Sequence, residues 1–314
     1  MNFEIRDEQK CPSDWNKNLI NSPMGNVFNT VEYSDYGANI LNWEPSFLSI
    51  ISSTGELVSQ TLLFQKPNSL RKKIFSFREN TIKWTYGPII FSTEHHKAIK
   101  IFLEYIITLK KNFNGTLHPF FKSTLDNFKL KKVKWGTFII NLQDDKESII
   151  KKFDKKSVLN NIKRAHERGV EIQEINDNTI SEYTKLLNEY RLSSNNTVYS
   201  EKEVYELWKL LKPVGFKGFI ASKDGINIGG IEFSTFNGYL NEWGIARSEK
   251  DTNEKLYAQD LLKWKIIEWG IQNEQKYYDL SGFNPTPMTK KEEGIFRYKQ
   301  KWGGIQYPLW IIRK

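Results

Sequence analysis

The apolar residues between positions 216 and 247 fall into three short segments that are rich in β-branched and aromatic side chains. Two dipeptides, Asp224-Gly225 and Asn237-Gly238, separate these segments. Dipeptides of this kind favour the tight turns of β-hairpins, because both residues tolerate a positive φ. The pattern therefore predicts a three-stranded antiparallel meander over 216–247.

The same order of predicted elements occurs twice along the chain. Near 45–121, β-rich segments precede a helix with apolar residues at three- and four-residue spacing, and Thr116–Phe121 is predicted as a short strand. After the meander, a helix is predicted over Asn253–Gln272 and a strand over Tyr277–Leu280. The stretches between the two copies are predicted to be helical over 144–168 and 179–211. We therefore expect two copies of one α+β unit.

Composition narrows the class of protein. At about 150 residues per domain, the 314 residues suggest two domains. Hydrophobic residues make up 39% of the chain, too many for a disordered protein, and no apolar run is long enough to span a membrane. The first residues lack an apolar signal region, so we expect a cytoplasmic protein. Four histidines and one cysteine argue against a zinc site, and we expect no metal. The net charge of +9 favours anionic partners.

Three segments carry candidate chemistry. From 146 to 168 there are eight Lys or Arg against three Asp or Glu, and this basic helix ends at Gly169. It is either a phosphate-binding surface or a solvated helix with a glycine cap. The second segment is the strand end Tyr278-Asp279 with Gly282. In the third, Gly294 to Gly304, cations alternate with aromatic residues; if it is extended, Arg297, Lys299 and Lys301 share one face, and the alternative is an amphipathic edge strand.

In this order and spacing, the three segments resemble the FemABX family of aminoacyl-tRNA-dependent peptidyltransferases, which build peptidoglycan cross-bridges. The family belongs to the FemAB-like N-acyltransferases of the GNAT superfamily. The matches are Asn161-Ile162-Lys163-Arg164-Ala165 with Gly169-Val170, Tyr278-Asp279 with Gly282, Gly294 to Gly303, and more weakly Tyr86-Gly87-Pro88. The resemblance implies an α+β protein with tandem GNAT-like domains, each a mixed, mostly antiparallel sheet flanked by helices.

The resemblance also implies the domain limits. We expect the first GNAT-like domain over 1–137 and the second over 138–304. A C-terminal strand at about 305–314 is expected to return to the first domain. The resemblance is stronger over the second domain than over the first.

The reaction implied by the resemblance is amide formation, in which an amine attacks an activated acyl carbonyl. Lys299 aligns with the lysine of the late family motif and is the first catalytic candidate, binding the terminal phosphate of the donor or the developing oxyanion. His118, before Pro119, stands where the family has Asp-Pro and is a candidate base or a structural residue. Asp279 is a second candidate base or a turn cap. The substrate-binding candidates are Asn161, Lys163, Arg164, Trp243, Asp279, Gly282, Arg297 and Lys301.

The donor is inferred from the loop before the helix of the second copy. Acyl-CoA enzymes of the superfamily hold the pyrophosphate with a glycine-containing loop at the N-terminus of this helix. Residues 246–254 contain no glycine and three acids, so the loop disfavours acyl-CoA. We expect aminoacyl-tRNA as donor, tRNA as partner and no other cofactor.

The acceptor is an amine of unknown identity. Family members that use the nucleotide-linked cell-wall precursor hold its phosphates with a Lys and an Arg, where this chain has Tyr36 and Asn196. The phosphates of that precursor then lose two contacts, so the acceptor is a nucleotide- or lipid-linked cell-wall precursor, with the lipid-linked form favoured, or another amine altogether. Peripheral contact with the anionic inner membrane surface fits the charge. Two alternatives stay open: an acyl-CoA-dependent N-acyltransferase, and a non-catalytic basic scaffold that binds tRNA or another anion.

Overall fold

A computed structural model describes residues 3–66, 81–91, 95–122, 125 and 128–314. The first half of the chain contains β1 (Phe3–Glu8), α1 (Trp15–Leu19), α2 (Val31–Asn39), β2 (Glu44–Ser52), β3 (Leu57–Lys66), β4 (Thr81–Trp84), β5 (Ile89–Ile90), α3 (His95–Thr108), β6 (Asn112–Thr116) and β7 (Lys131–Asn141).

The second half contains α4 (Lys146–Lys151), a π-helical turn at Lys155–Leu159, α5 (Asn160–Glu167), β8 (Glu171–Glu174), α6 (Ile180–Ser193), α7 (Glu201–Leu211), β9 (Phe216–Lys223), β10 (Ile226–Phe236), β11 (Tyr239–Arg247), α8 (Glu249–Asn253), α9 (Ala258–Gln272), β12 (Tyr277–Phe283), α10 (Lys290–Gln300) and β13 (Ile305–Arg313). Contacts between residues divide the chain into two compact units: Met1–Gly136 with Tyr307–Lys314, and Thr137–Gln306.

Unit 1 contains strands in the order β1-β2-β3-β4-β6-β13. β1 to β4 pair as antiparallel neighbours, whereas β4 and β6 run parallel. The last strand closes the unit, because Ile311 of β13 pairs with Thr116 of β6. Helix α3 lays buried Ile99, Phe102 and Ile106 on one face, as three- and four-residue spacing requires.

Unit 2 contains strands in the order β7-β12-β11-β10-β9-β8. β8 to β11 are antiparallel neighbours, and β11 and β12 run parallel. Its core is a cluster of buried apolar side chains, such as Ile231 of β10, Leu262 of α9 and Trp302 in the turn after α10, which are at most 1% exposed.

The predicted meander is present as β9, β10 and β11. Its two turns are built as the dipeptides predicted, because φ is positive at Asp224, Gly225, Asn237 and Gly238. Two successive positive φ values define the hairpin turn whose twist matches the twist of the strands.

Three predicted elements differ from the structure. The helix expected from Asn253 begins at Ala258, because Tyr257 adopts a left-handed conformation with φ 60 and interrupts it. The strand expected over Thr116–Phe121 is β6 and ends at Thr116. The late segment is not extended: it is helix α10, which Thr289 caps by accepting the Glu292 N–H.

Among the residues that the structure describes, no helix is long and apolar enough to cross a membrane.

Candidate active site

The two parallel strands of unit 2 separate after a short paired stretch. Their pairing runs from Tyr239 with Tyr277 to Asn241 with Asp279, although both strands continue further. At the point of separation, the Ser281 hydroxyl donates to the Glu242 carbonyl and Ser281 itself adopts φ 63. The backbone therefore opens between β11 and β12.

Lys299 lies at this opening. Its Nζ donates to the carbonyls of Ser281 and Gly282, both at 3.0 Å, and the residue is only 9% exposed. Burial lowers the pKa of Lys299 to about 8, against the opposing effect of nearby Glu242. A lysine ammonium has three N–H donors. Two are used here, which leaves one for a ligand at the end of β12.

The helical form of the late segment separates its cations. Arg297 points to Glu293 and is largely exposed, whereas Lys301 pairs with Asp260 at 2.5 Å and is largely buried. Residues i and i+2 lie on different sides of a helix, whereas they lie on the same face of a strand. Lys299 is therefore the cation of this segment that reaches the opening.

A buried ionic pair underlies the opening. Lys263 of α9 pairs with Glu242 of β11, and both side chains are at most 2% exposed. The Tyr278 hydroxyl also donates to the Glu242 carboxylate, at 2.7 Å. Because every charge here has a hydrogen-bonded partner, the network fixes the position of β11 against α9. The sequence analysis missed Glu242 and Lys263, although a Glu in a β-rich segment and a Lys in an apolar helix were visible signals.

Asp279 is fully buried and accepts four hydrogen bonds. The donors are the Thr137 hydroxyl, the Tyr239 hydroxyl at 2.6 Å, the Ser281 N–H at 2.8 Å and the Asn241 amide at 3.2 Å. These four donors come from β7, β11 and β12, so the carboxylate ties the three strands together. Its geometry matches an anchor for the end of β12 better than a base for an incoming amine.

His118 lies in unit 1 and is 1% exposed. Its Nδ1 accepts the N–H of Phe120 at 3.1 Å, which assigns the proton of the neutral ring to Nε2. Burial lowers the pKa of His118 to about 3. Such a ring does not take up a proton near neutral pH, so these features fit a structural histidine.

Some polar residues of the basic helix contact other parts of unit 2, and others are exposed. Asn161 donates to Asp260 at 2.7 Å, so both Asn161 and Lys301 hold one carboxylate inside unit 2. Lys163 and Arg164 are exposed; the first pairs loosely with Glu167, and the Arg164 guanidinium lies over the Tyr257 ring. Lys163 and Arg164 are therefore available to a large anionic ligand.

Two further candidates flank the opening. Trp243 follows Glu242 in β11, donates from Nε1 to the Ser234 hydroxyl at 3.0 Å and packs edge-on against Phe216. Gly282 contributes one of the two carbonyls that hold Lys299. The structure thus places Lys299, Gly282 and Asp279 at β12, and Trp243 in β11 next to the residue whose carbonyl Ser281 contacts.

The N-terminus of α9 carries its own acid. Asp251 is 0% exposed; one carboxylate oxygen accepts the Ala258 N–H at 2.9 Å, and the other accepts from Arg247 at 2.6 Å. A helix N-terminus attracts anions through such N–H groups. Here the Asp251 carboxylate of the protein itself is the anion at this helix N-terminus. No group of three or more His, Cys, Asp or Glu in the described parts of the chain is arranged to hold a metal ion.

No protein-family model and no curated protein sequence matches this chain. Solved structures do match it. FemX matches with a TM-score of 0.72 at 10% identity, over 98% of this chain and 96% of that chain. L-PGS from Bacillus licheniformis matches with a TM-score of 0.62 at 11% identity, over 98% and 93%. A tandem GNAT protein from the clavulanic acid biosynthesis pathway matches with a TM-score of 0.54 at 8% identity, over 99% and 98%.

At these identities, the likeness establishes the fold. The chain has a FemABX-like fold of tandem GNAT-like units, each with a mixed sheet flanked by helices. The expected fold class and the resemblance to FemABX proteins in fold are therefore confirmed.

Proposed function

We propose that the protein is an acyltransferase that forms an amide bond between an aminoacyl group, carried by tRNA, and an amine acceptor. The observation that carries the proposal is the position of Lys299. A cation held by two strand-end carbonyls, with one N–H to spare, lies where the sheet opens between β11 and β12. Such a group suits a carbonyl oxygen that becomes negative during acyl transfer.

The N-terminus of α9 supports tRNA over acyl-CoA as the donor. Asp251 accepts the first N–H of α9, so a pyrophosphate at this place meets a carboxylate instead of free donors. Its charge is balanced by Arg247 within the protein. Displacing a fully buried, paired carboxylate is unfavourable. We infer that the activated group arrives on a carrier that does not use this helix end.

The charge distribution supports tRNA as a partner. The net charge is +9, and Lys163, Arg164 and Arg168 of the α5 region are exposed. Arg164 and Arg168 flank the Tyr257 ring, with their guanidinium carbons 5.8 and 5.4 Å from its centre. Exposed cations beside an aromatic ring suit a backbone of phosphates and bases.

The surroundings of Tyr36 in unit 1 support an inference about the class of acceptor. The ring centre of Tyr36 lies 5.9 Å from the ring centre of Tyr33. The Tyr33 ring in turn packs edge-on against Phe64 and Phe28. The residue at the position of the family's lysine is thus a tyrosine within an aromatic cluster, and a tyrosine has no positive charge for a diphosphate. We infer that the acceptor is the amine of a cell-wall precursor, lipid-linked rather than nucleotide-linked, with peripheral contact between the protein and an anionic membrane surface.

The proposed reaction is a direct transfer. The acceptor nitrogen attacks the carbonyl carbon of the ester that joins the amino acid to the tRNA ribose. The new C–N bond forms, the C–O bond breaks, and the electron pair of that bond leaves on the ribose oxygen. Lys299 stabilises the oxyanion through its third N–H, which contributes on the order of a hundredfold in rate.

The test is product formation. The purified protein is incubated with charged tRNA or with acyl-CoA and a panel of amine acceptors, and amide products are detected by mass spectrometry. We expect product with charged tRNA only. Product with acyl-CoA only identifies an acyl-CoA-dependent N-acyltransferase, and RNA binding without product from either donor identifies a binding scaffold.

A further inference from the structure

Glu232 is a buried carboxyl on the side of the β10–β11 hairpin that faces α6. It belongs to β10 and is 4% exposed. Within unit 2, every residue of which the structure describes, its Oε1 has no hydrogen-bond partner. Buried polar atoms are normally paired, because an unpaired one lowers the stability of the folded protein. An exception needs a reason.

The pairing of β10 with its neighbour β11 is irregular at Glu232. Ile231 pairs with Ile245 and Phe233 with Glu242, so Trp243 and Gly244 together lie opposite Glu232. This β-bulge comes directly after the residue to which Ser281 is tied at the opening. Bulges re-aim side chains and are common beside active sites.

Gly244 has no side chain, so this residue does not cover the Glu232 carboxyl. A Cβ at this position would lie 2.6 Å from Glu232 Oε2 and 2.7 Å from the Tyr183 hydroxyl. Gly244 is itself only half-buried. The Glu232 carboxyl and the Tyr183 hydroxyl therefore lie on the side-chain face of the bulge, in the space that a larger residue at position 244 would fill.

We propose that Glu232 is the proton acceptor for the attacking amine, a role that rests on the transferase function proposed above. The opening is bordered by β11, whose bulge lies over Glu232, and by β12, whose last carbonyls hold Lys299. An acyl carbonyl in this opening has a cation for its oxygen on the β12 side and a carboxylate for the amine proton on the β11 side.

The proton balance is simple. The amine loses one proton to the Glu232 carboxylate as the C–N bond forms. When the ester C–O bond breaks, the ribose oxygen keeps the electron pair and takes up that proton. Glu232 is then ionised again, and no further reactant is needed.

The surroundings of Glu232 suit this role. Burial raises the pKa of Glu232 to about 8, and the adjacent Tyr183 hydroxyl acts in the opposite direction. Tyr183 of α6 is the titratable group set against the carboxyl in unit 2, and Tyr199 lies next to Tyr183. Burial raises the pKa of Tyr183 well above its usual value, so its hydroxyl stays neutral. A base that titrates near the working pH is the most effective one.

The experiment measures single-turnover transfer between pH 6 and 9.5 for the wild type and Glu232→Gln, with Glu171→Gln as the matched control at an exposed position of the same sheet. We expect Glu232→Gln to be slower by about a hundredfold or more at high pH. The ratio of wild-type to variant rate cancels the ionisation of the acceptor. It is expected to rise with pH up to about 8 and then level.

A second variant keeps the proposal falsifiable if Glu232→Gln folds poorly. Tyr183→Phe removes the hydroxyl that opposes the burial effect, so the midpoint of the pH profile is expected to move upward. A pH-independent rate ratio, or an unmoved midpoint in Tyr183→Phe, overturns the role of Glu232 while transfer itself persists. Absence of transfer by the wild type overturns the proposed function, and this role with it.

Discussion

Lys299→Met separates the functional role of the buried lysine from its effect on folding. The substitution keeps an unbranched side chain of similar volume and removes the ammonium. In the folded protein this ammonium is buried, and its partners are the carbonyls of Ser281 and Gly282. The unfolded chain exposes the same group to water, so the two states differ in proton affinity.

The magnitude follows from the pKa of about 8 for Lys299 in the folded protein against 10.5 for the ordinary lysine. Between these values the unfolded chain holds a proton that the folded protein has lost, so stability rises with pH. The slope is about 1.4 kcal/mol per pH unit, and the full gain is about 3 kcal/mol. Below pH 8 both states are protonated and this contribution no longer changes. Methionine has no such dependence.

The assay is urea unfolding of the wild type and Lys299→Met at pH 7 to 10.5, with Lys291→Met, an exposed change on the same helix, as the control. Above pH 8, the unfolding free energy of the wild type is expected to rise relative to that of Lys299→Met. The difference between the wild type and the Lys291→Met control is expected to stay constant with pH. Transfer at pH 7.5 is expected to fall about a hundredfold in Lys299→Met. Parallel unfolding curves together with a normal transfer rate would refute the reasoning.

Three further substitutions test the other assignments. Asp279→Asn is expected to lower the unfolding free energy by roughly 2–4 kcal/mol, because an amide cannot accept all four bonds, and the folded fraction should keep its transfer rate; a rate loss without destabilisation contradicts this. Reversal of Lys163 and Arg164 to Glu is expected to weaken tRNA binding and flatten its salt dependence by about one counterion per lost contact, and unchanged affinity at low salt argues against this surface. His118→Asn removes a group whose pKa of about 3 lies below 6.5, so the wild type should lose about 1.4 kcal/mol per pH unit relative to the variant as the pH falls below 6.5, and transfer at pH 7.5 should be unaffected.

Local signals predicted the parts of the fold that depend on neighbouring residues. The turns at Asp224-Gly225 and Asn237-Gly238 fix the meander, because both dipeptides accept a positive φ. The start of α9 could not be predicted in this way. It depends on Tyr257 in a left-handed conformation and on Asp251, seven residues before Ala258, folding back to cap the helix.

The candidate site was predicted in part. The alternation of cations and aromatics around Lys299 fits a strand as well as a helix, and the structure forms a helix capped by Thr289. The sequence also does not show which cations are taken up inside the protein. Lys301 and Asn161 both hold Asp260, a contact between residues far apart in the chain. Glu232 was missed because its burial depends on the packing of α6 against the meander.

The most direct test of the account is a single-turnover reaction with tRNA carrying a radiolabelled amino acid, excess enzyme and an amine acceptor from a cell-wall precursor. The account predicts that label moves from tRNA to the acceptor as an amide, that Lys299→Met slows this movement about a hundredfold, and that unlabelled acyl-CoA does not compete. Label that stays on tRNA for every acceptor, or transfer that acyl-CoA suppresses, would contradict it.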